Sequence, residues 1–238
     1  MSFFTLPSEI SLRESLRVQA DLIVKTIGPL LTSERVQKIE RVASQRNFSN
    51  AVVLEGIYDR GNISAVMRTA EAFGFVNFHV IETQERFKEA NRVTQGADKW
   101  TEVQKWKNTK DCILDLKKRG HKIVATSLEA SKPLNEIDWT VPTALVLGNE
   151  KEGISKEMFE LSDERVIIPM TGFVQSFNIS VAGALCLYHI YSKRMEKLGQ
   201  VGDVSPEQIE ILKAHYYLRT QDSAMDILQR LFEGSSKV

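Results

Sequence analysis

Apolar residues change their spacing along the chain, and the change divides it into three parts. From Ser8 to Leu31 the spacing is mostly helical until Gly28-Pro29, and a second helix is predicted from about Glu34 to Arg46, behind the capping types Thr32-Ser33. Residues 1–50 therefore read as a helical N-terminal extension. A last helical stretch, 205–232, follows a glycine-rich break and predicts a helical C-terminal extension over 199–238.

Between the extensions, short and uniformly apolar runs alternate with helical segments. The predicted strands are Ala51–Leu54, Val76–Ile81, Lys122–Ser127, Thr143–Leu147 and Val166–Ile168. Helices are predicted at 62–73, 110–119 and 178–198. Strands without polar alternation are buried on both faces, so residues 51–198 are predicted to form an α/β domain with a parallel sheet covered by helices on both faces.

Charge and composition narrow the function. The chain of 238 residues has 31 basic and 31 acidic side chains, which argues against a protein that coats nucleic acid without specificity. We predict a cytoplasmic protein, because no apolar run approaches the length of a membrane helix and the first residues lack a secretory layout. Cys112 and Cys186 lie far apart in apolar stretches and are interpreted as buried small side chains.

The common catalytic signatures of α/β proteins do not occur in the sequence. No G-x-G-x-x-G follows the first predicted strand, and Gly148 to Gly153 has P-loop spacing without the required lysine. The histidines at 79, 121, 189 and 215 stand alone, without ligand spacing, so no metal site is predicted. No serine lies in a G-x-S-x-G elbow. These patterns disfavour an NTPase, a metalloenzyme and a serine hydrolase.

Three polar clusters follow predicted strands, where open α/β sheets bind ligands. Asn62 to Arg68 opens a helix, and its alternative reading is a helix cap with a solvated arginine. Gly148 to Ser155 follows a buried strand and could be a plain turn capped by Ser155. Ile168 to Asn178 is longer than a connection requires, and its alternative reading is a mobile surface loop.

These clusters resemble the motifs of the SpoU (TrmH) branch of the SPOUT methyltransferases. The first motif is similar to Asn62-x-x-Ala65-x-x-Arg68-Thr69-Ala70 followed by Gly74, and the second to Gly148-x-Glu150-x-x-Gly153-Ile154-Ser155. The third is similar to Ile168-Pro169-Met170-x-Gly172-x-x-Gln175-Ser176-Phe177-Asn178-Ile179-Ser180-Val181-Ala182. One such motif is a weak signal, but three in order over residues 33–198 are specific.

The resemblance implies a SPOUT-type fold and a cofactor. The second and third motif loops would form a C-terminal trefoil knot, an exception to the rule that connections are unknotted. S-adenosylmethionine would bind there, and the family acts as a homodimer with the knot at the interface. The implied cofactor-binding residues are Thr126, Leu147, Gly148, Ile168, Met170 and Phe177, with Phe177 standing where the family usually has leucine.

The resemblance also implies 2′-O-methylation of a ribose in RNA, without a metal. Arg68 would orient the ribose and stabilise the developing alkoxide, because a guanidinium does not give up its protons in proteins. Asn62 and Glu150 would hold Arg68 and the loops, while Ser176 and Asn178 would line the site where ribose and methyl donor meet. Within the family the chain best fits the tRNA guanosine-18 enzymes, which have a short basic helix before the first strand.

RNA binding is predicted for two basic groups, although charged helix faces are often only solvated. The first comprises Arg35, Lys38, Arg41 and Arg46, and the second Lys193, Arg194 and Lys197. The alternatives left open are methylation of rRNA, methylation of the tRNA wobble nucleotide, and an RNA-binding protein that has lost catalysis.

Overall fold

The computed structural model of the chain describes residues 3–13, 16–82, 96–129, 131–220 and 224–234. These residues belong to two compact units. The core unit contains residues 47–202, and the terminal unit combines residues 4–46 with 203–238. The two predicted extensions therefore contribute to one compact unit, a pairing that local sequence patterns do not reveal.

The described helices and strands are labelled in chain order. The strands are β1 (Glu9–Arg13), β2 (Leu16–Gln19), β3 (Asn47–Glu55), β4 (Phe75–Ile81), β5 (Glu102–Trp106), β6 (Lys122–Thr126), β7 (Lys132–Pro133), β8 (Thr143–Leu147) and β9 (Glu164–Ile167). The helices are α1 (Ala20–Ile27), α2 (Ser33–Ser44), α3 (Arg60–Ala72), α4 (Thr109–Lys118), α5 (Lys156–Leu161), α6 (Ile179–Leu198), α7 (Pro206–Thr220) and α8 (Ala224–Gly234).

Within the described part of the chain, the core unit is built on one seven-stranded sheet with the order β5-β4-β3-β8-β6-β9-β7. All of its neighbouring strands pair in parallel. The prediction of a parallel α/β sheet is thus confirmed. Since parallel strands end at the same edge, the loops that follow β3, β8, β6 and β9 emerge side by side.

Alternate residues of the central strands enter two separate hydrophobic cores, as the pleat of a strand requires. On one face, Val52, Leu54, Leu145 and Leu147 pack with residues of α3 and α6 and with Trp139. On the other face, alternate residues pack with α4 and with Met158 of α5. Helices on both faces explain why these strands are apolar throughout, as predicted.

The sheet differs from the prediction at the start of β3 and in its two edge strands, β5 and β7, which were not predicted. Strand β3 begins at Asn47 rather than Ala51, because its first polar side chains are buried with partners: Asn47 Nδ2 donates to the Val201 carbonyl at 2.9 Å, and Asn50 Nδ2 to Thr143 Oγ1 at 2.6 Å. Strand β5 was not predicted at all. It lies at the edge of the sheet, where half-exposed Glu, Gln and Lys residues produce no apolar run.

The prediction of one helix from Ser8 to Leu31 is wrong. Strands β1 and β2 pair in antiparallel, with Ile10 opposite Val18, before α1 begins at Ala20. Ile10, Leu12 and Val18 are buried, and the two-residue step from Ile10 to Leu12 is the spacing of a strand. The fold class is therefore corrected from an all-helical N-terminal extension to an antiparallel pair of strands followed by helices.

The rest of the terminal unit is helical. Helices α1 and α2 both pack against α7, which explains how distant ends of the chain join in one unit. The helical stretch predicted over 205–232 is helical in α7 and α8, and residues 221–223 lie outside the described residues. Among the helices that the structure describes, none has the length and apolar character needed to cross a membrane.

A buried histidine on β4 links this strand to the edge strand β5. Trp106 Nε1 donates to His79 Nδ1 at 2.9 Å, so the other ring nitrogen, Nε2, carries the proton that reaches Asn77 Oδ1 at 2.8 Å. Asn77 Nδ2 in turn donates to the Phe48 carbonyl. Burial is the main reason that the pKa of His79 is lowered to about 3, with the Arg119 charge adding to the effect.

We expect this histidine to make stability depend on pH. In the unfolded chain His79 titrates near pH 6.5, whereas in the folded chain it stays neutral down to about 3, so acid favours unfolding. The neutral His79 leaves the free energy of unfolding undiminished above pH 6.5. Below pH 6.5 this free energy falls by about 1.4 kcal/mol for each pH unit, because the unfolded chain binds a proton that the folded chain does not. Urea unfolding of the wild type and of His79→Gln between pH 5 and 8 measures the difference, and equal pH slopes would contradict it. Trp106→Phe, which keeps the histidine, should retain the wild-type slope.

Candidate active site

Asn62 occupies the third position of α3 and is not its cap. The cap is Asp59, whose carboxylate accepts a hydrogen bond from the Gly61 N–H at 2.7 Å. The side chain of Asn62 is therefore available for contacts outside its own helix. This position excludes the interpretation of Asn62 as a plain helix cap.

One side chain from each of the three motifs meets at Asn62. Asn62 Nδ2 donates to Glu150 Oε1 at 2.8 Å, and Asn62 Oδ1 accepts from Asn178 Nδ2 at 3.4 Å. Asn178 is the cap of α6, and its Oδ1 accepts from the Ser180 N–H. The amide of Asn62 thus connects the start of α3, the loop after β8 and the start of α6.

Close packing brings α6 to this position. An added Cβ at Gly183 would lie 3.1 Å from side-chain atoms of both Leu147 and Val66, so a larger residue would push α6 away from β8 and α3. The glycine therefore helps to place Asn178 within reach of Asn62. The motif quoted from the sequence ends at Ala182 and does not include it.

The loop after β8 is a tight turn that depends on one glycine and one asparagine. A Cβ at Gly148 would lie 2.4 Å from the carbonyl carbon of Gly153, too close for any side chain. Asn149 pairs with Gly153 through two backbone hydrogen bonds, and its Nδ2 donates to the Gly56 carbonyl at 2.7 Å. Its Oδ1 accepts from the N–H groups of Lys151 and Glu152. Sequence reasoning missed Asn149, although an asparagine after Gly148 is typical of a side-chain-supported turn.

The loop after β9 has an unusually open backbone. Residues 171–178 are exposed, and Phe173 is fully so. In the described part of the chain, no backbone–backbone hydrogen bond involves residues 168–177. Free N–H and C=O groups beside partly buried Ile168 can recognise a polar heterocycle, so this loop fits a nucleoside-like cofactor.

The predicted cofactor-binding residues come together at one edge of the sheet. Leu147 and Gly148 end β8, Thr126 ends the neighbouring β6, and Ile168 follows β9 on its other side. Thr126 Oγ1 donates to the Val146 carbonyl at 3.0 Å, and the Ser127 N–H to the Val166 carbonyl at 3.0 Å. Met170 and Phe177 lie in the open loop, where Phe177 is 37% exposed.

Arg68 and Ser176 are exposed and are not part of the hydrogen-bonded group. Arg68 lies six residues after Asn62, which is about 9 Å along the helix axis. Within the described residues it has no hydrogen bond or ion pair. The expectation that Asn62 and Glu150 hold Arg68 is therefore corrected: in this chain they bond to each other, because α3 turns Arg68 to a different side.

Comparison with known proteins decides the family. The model of the SpoU rRNA Methylase family matches residues 49–188, which span all three motifs. The chain belongs to the SpoU family. A tRNA (guanosine(18)-2′-O)-methyltransferase of Aquifex aeolicus is 35% identical over 192 residues, which is 79% of this chain and 91% of that protein.

Solved structures of SpoU proteins share the fold. The crystal structure of the A. aeolicus TrmH/SpoU tRNA modifying enzyme has a TM-score of 0.72 at 34% identity, covering 79% of this chain and 98% of that one. An AdoMet-bound rRNA methyltransferase from Sinorhizobium meliloti has a TM-score of 0.57 at 28% identity, covering 67% of this chain and 60% of that one. The resemblance recognised from the three motifs is confirmed.

Burial separates the basic residues of this SpoU chain into two classes. Lys38 and Arg41 are exposed on α2, whereas Arg35 is half-buried and its Nη2 donates to Thr220 Oγ1 at 3.4 Å. Arg46 and Arg194 are each only 3% exposed. The prediction that these last two contact RNA is therefore wrong.

Both buried arginines have structural partners inside their own units. Arg46 Nε donates to the Tyr216 hydroxyl at 3.0 Å, and Arg194 donates to the carbonyls of Val201, Trp139 and Thr140. The second basic group is weakened further, because Lys193 is paired with Glu196 at 2.8 Å. A charged residue in a helical sequence pattern does not reveal such partners.

The cysteines and histidines of the SpoU chain do not extend the site. Cys112 and Cys186 are free and fully buried, as predicted, and burial raises the pKa of both thiols, that of Cys186 to about 12. Thiols with raised pKa values are poor nucleophiles at neutral pH. Among the residues described, no three His, Cys, Asp or Glu side chains are grouped in a way that could hold a metal ion.

Proposed function

We propose that this chain transfers a methyl group from S-adenosylmethionine to the ribose 2′-hydroxyl of guanosine-18 in tRNA. The observation that carries the proposal is the hydrogen-bonded link Glu150–Asn62–Asn178, which joins all three SpoU motifs beside the open loop after β9. The A. aeolicus relative named for this reaction supports the substrate.

A tRNA substrate also favours a cytoplasmic location for the enzyme. A tagged chain found outside the cytoplasm would contradict this location.

When bound, S-adenosylmethionine would supply a methyl group on a sulfonium, an intrinsically good electrophile. The residues of the chain must then place the ribose hydroxyl in line with it and stabilise the charge that develops on oxygen. Asn62 and Glu150 fix the two loops relative to each other, and Ser176 and Asn178 line the ribose side. Arg68, exposed and without a partner in the described residues, is available to hold the developing alkoxide and a neighbouring substrate phosphate. That phosphate would accept the proton of the ribose hydroxyl, the new O–CH₃ bond would replace the S–CH₃ bond, and S-adenosylhomocysteine would leave.

Arg68→Ala should slow methyl transfer by about 10²-fold or more, the scale of losing one group that stabilises the transition state. Cofactor affinity should change little, because the proposed contacts lie in the loops after β6, β8 and β9. Arg68→Lys should restore little activity, since an ammonium lacks the planar fork of a guanidinium. Single-turnover methylation of tRNA transcripts and calorimetry with S-adenosylhomocysteine measure the two effects.

Lys118→Ala is the matched control for Arg68→Ala. Lys118 is an exposed cation at the end of α4, at the opposite edge of the sheet, and its loss should leave both measurements unchanged. Near-wild-type turnover by Arg68→Ala would overturn the proposed role of Arg68. Circular dichroism shows whether each variant is folded.

We also propose that α2 of the terminal unit contacts tRNA phosphates. Lys38 and Arg41 are one helical turn apart, exposed, and without a partner in the described residues. Arg35 belongs to the same group but also bonds to Thr220, so its loss would disturb the helix packing as well. Substitution of Lys38 and Arg41 therefore tests how much their charge contributes to tRNA binding, without disturbing the helix packing.

Lys38→Ala with Arg41→Ala should weaken tRNA binding and lower the slope of log affinity against log salt concentration by about 2. Cofactor affinity should not change, because these residues belong to the terminal unit. Filter binding of tRNA from 50 to 300 mM salt gives the slope. An unchanged slope would show that this helix face is only solvated.

A homodimer would cover an apolar stripe on α6. Val181, Leu185 and Tyr188 are 47%, 41% and 59% exposed at the spacing of one helix face. Contiguous exposed apolar side chains typically mark an interface. We propose that two copies of the chain meet along this stripe.

Leu185→Glu should convert the dimer to a monomer, because it would place two like charges in an apolar interface. Light scattering at micromolar concentration measures the mass. Leu114→Glu is the control: Leu114 is 47% exposed on α4, on the other face of the sheet, and its variant should remain dimeric. A monomeric wild type would exclude the proposed interface.

The trefoil knot is a further part of the proposal. Strand β9 pairs with β6 on the side opposite β8, so the connection from the second motif to β9, which contains α5, passes over β6. Passage of one loop through the other would enclose the cofactor between them. A crystal structure with an unknotted backbone path would contradict the knot.

The nearest alternatives concern the substrate. Methylation of rRNA or of the tRNA wobble nucleotide would use the same site with a different RNA. Mapping 2′-O-methyl groups in total tRNA and rRNA from a deletion strain separates them, because only loss at tRNA position 18 supports the proposal. A chain that binds tRNA but shows no transfer would be the non-catalytic relative.

A further inference from the structure

Glu55 is a buried carboxylate that the proposed mechanism does not use. It ends β3, is only 2% exposed, and accepts three hydrogen bonds. Its Oε1 accepts from the hydroxyls of Thr109 and Ser155, and its Oε2 accepts from the Ser155 N–H at 2.9 Å. An acidic group is placed in a protein interior only at a cost, so such complete pairing indicates a specific role.

The three donors come from two different segments of the chain. Thr109 is the first residue of α4, whereas Ser155 ends the loop after β8 and caps α5. The Ser155 hydroxyl donates to Glu55 at 2.8 Å and accepts from the Met158 N–H at 3.0 Å, so its orientation is fully determined. Glu55 therefore holds the end of that loop and not only the start of a helix.

The residue after Glu55 holds the other end of the same loop. The Gly56 carbonyl accepts from Asn149 Nδ2 at 2.7 Å, directly after Gly148. Residues 55 and 56 thus form hydrogen bonds with both ends of the loop, at Ser155 and Asn149 respectively. Between these two points lies Glu150, which bonds to Asn62.

We propose that Glu55 is a positioning residue for the methyl-donor site. By bonding to Ser155 it holds the loop after β8 in the conformation that presents Gly148 and Glu150 at the carboxyl edge of the sheet. This inference rests on the proposed function, because Gly148 is a cofactor contact only in a methyltransferase. Glu55 itself touches neither the cofactor nor the ribose.

Glu55→Gln tests the role with little change in volume. The glutamine has only one acceptor oxygen, so its NH₂ faces either the Ser155 N–H or the hydroxyls of Thr109 and Ser155, and at least one donor loses its acceptor. We expect the dissociation constant for S-adenosylhomocysteine to rise at least tenfold while tRNA affinity changes less than twofold. Calorimetry is done at a temperature where circular dichroism shows the variant to be folded. Glu55→Asp, which keeps the charge, should recover part of the affinity.

Two further variants separate loop positioning from general stability. Ser155→Ala removes the hydroxyl link between Glu55 and the loop but keeps the bond from the Ser155 N–H, so it should weaken cofactor binding in the same direction as Glu55→Gln and by no more. Thr109→Val removes a donor from the same carboxylate without touching the loop, so it should lower the melting temperature but change cofactor affinity less than threefold. The double variant of Glu55→Gln and Ser155→Ala should bind no more weakly than Glu55→Gln alone, because both remove the same link.

The outcomes distinguish this inference from the proposed function. If the wild type does not bind S-adenosylhomocysteine, the proposed function is wrong and this inference falls with it. If the wild type binds and folded Glu55→Gln binds equally well, only the positioning role is overturned. Should Glu55→Gln not fold, the pair Ser155→Ala and Thr109→Val decides: equal cofactor affinities in the two variants contradict the inference.

Discussion

The side-chain amide of Asn62 joins the start of α3 to two segments that lie 88 and 116 residues further along the chain. Its Nδ2 binds Glu150 after β8 and its Oδ1 binds Asn178 at the start of α6. An amide suits this position because it donates and accepts at once, whereas a carboxylate would repel Glu150. The site depends on this one residue, since the loops after β8 and β9 are joined to α3 through it.

The amide can make these contacts because the parallel sheet has already placed its partners nearby. Strands β3 and β8 are neighbours, so α3 and the loop after β8 begin at the same edge. Gly183 then allows α6 to lie close against β8. Glu55 and Gly56, at the end of β3, support the loop from the other side. The order of the strands thus brings α3, the loop after β8 and α6 close together, and a few polar contacts fix their relative positions.

Exposure decides which charged residues can act on RNA. Arg46 and Arg194 are buried and donate hydrogen bonds to hydroxyl and carbonyl groups inside the fold. The side chains of Lys38, Arg41 and Arg68 are exposed to solvent. A buried guanidinium with several acceptors stabilises the fold by pairing with them, and removing Arg194 would take a donor from the carbonyls of Trp139 and Thr140. The same residue type therefore serves structure at positions 46 and 194, whereas at position 68 it is exposed and free for the role proposed above.

The sequence by itself determined the parallel α/β core, because strands buried on both faces must be apolar throughout, and it determined the family, because three motifs recur in order. It also identified Asn62, Glu150 and Asn178. It did not determine the antiparallel pair β1 and β2, where the apolar spacing is compatible with a helix or a strand and only the burial of Ile10, Leu12 and Val18 distinguishes the two. Nor did it reveal the burial of Arg46 and Arg194 or the role of Glu55. Those depend on partners that are 50 to 170 residues away, and only the tertiary structure brings such partners together.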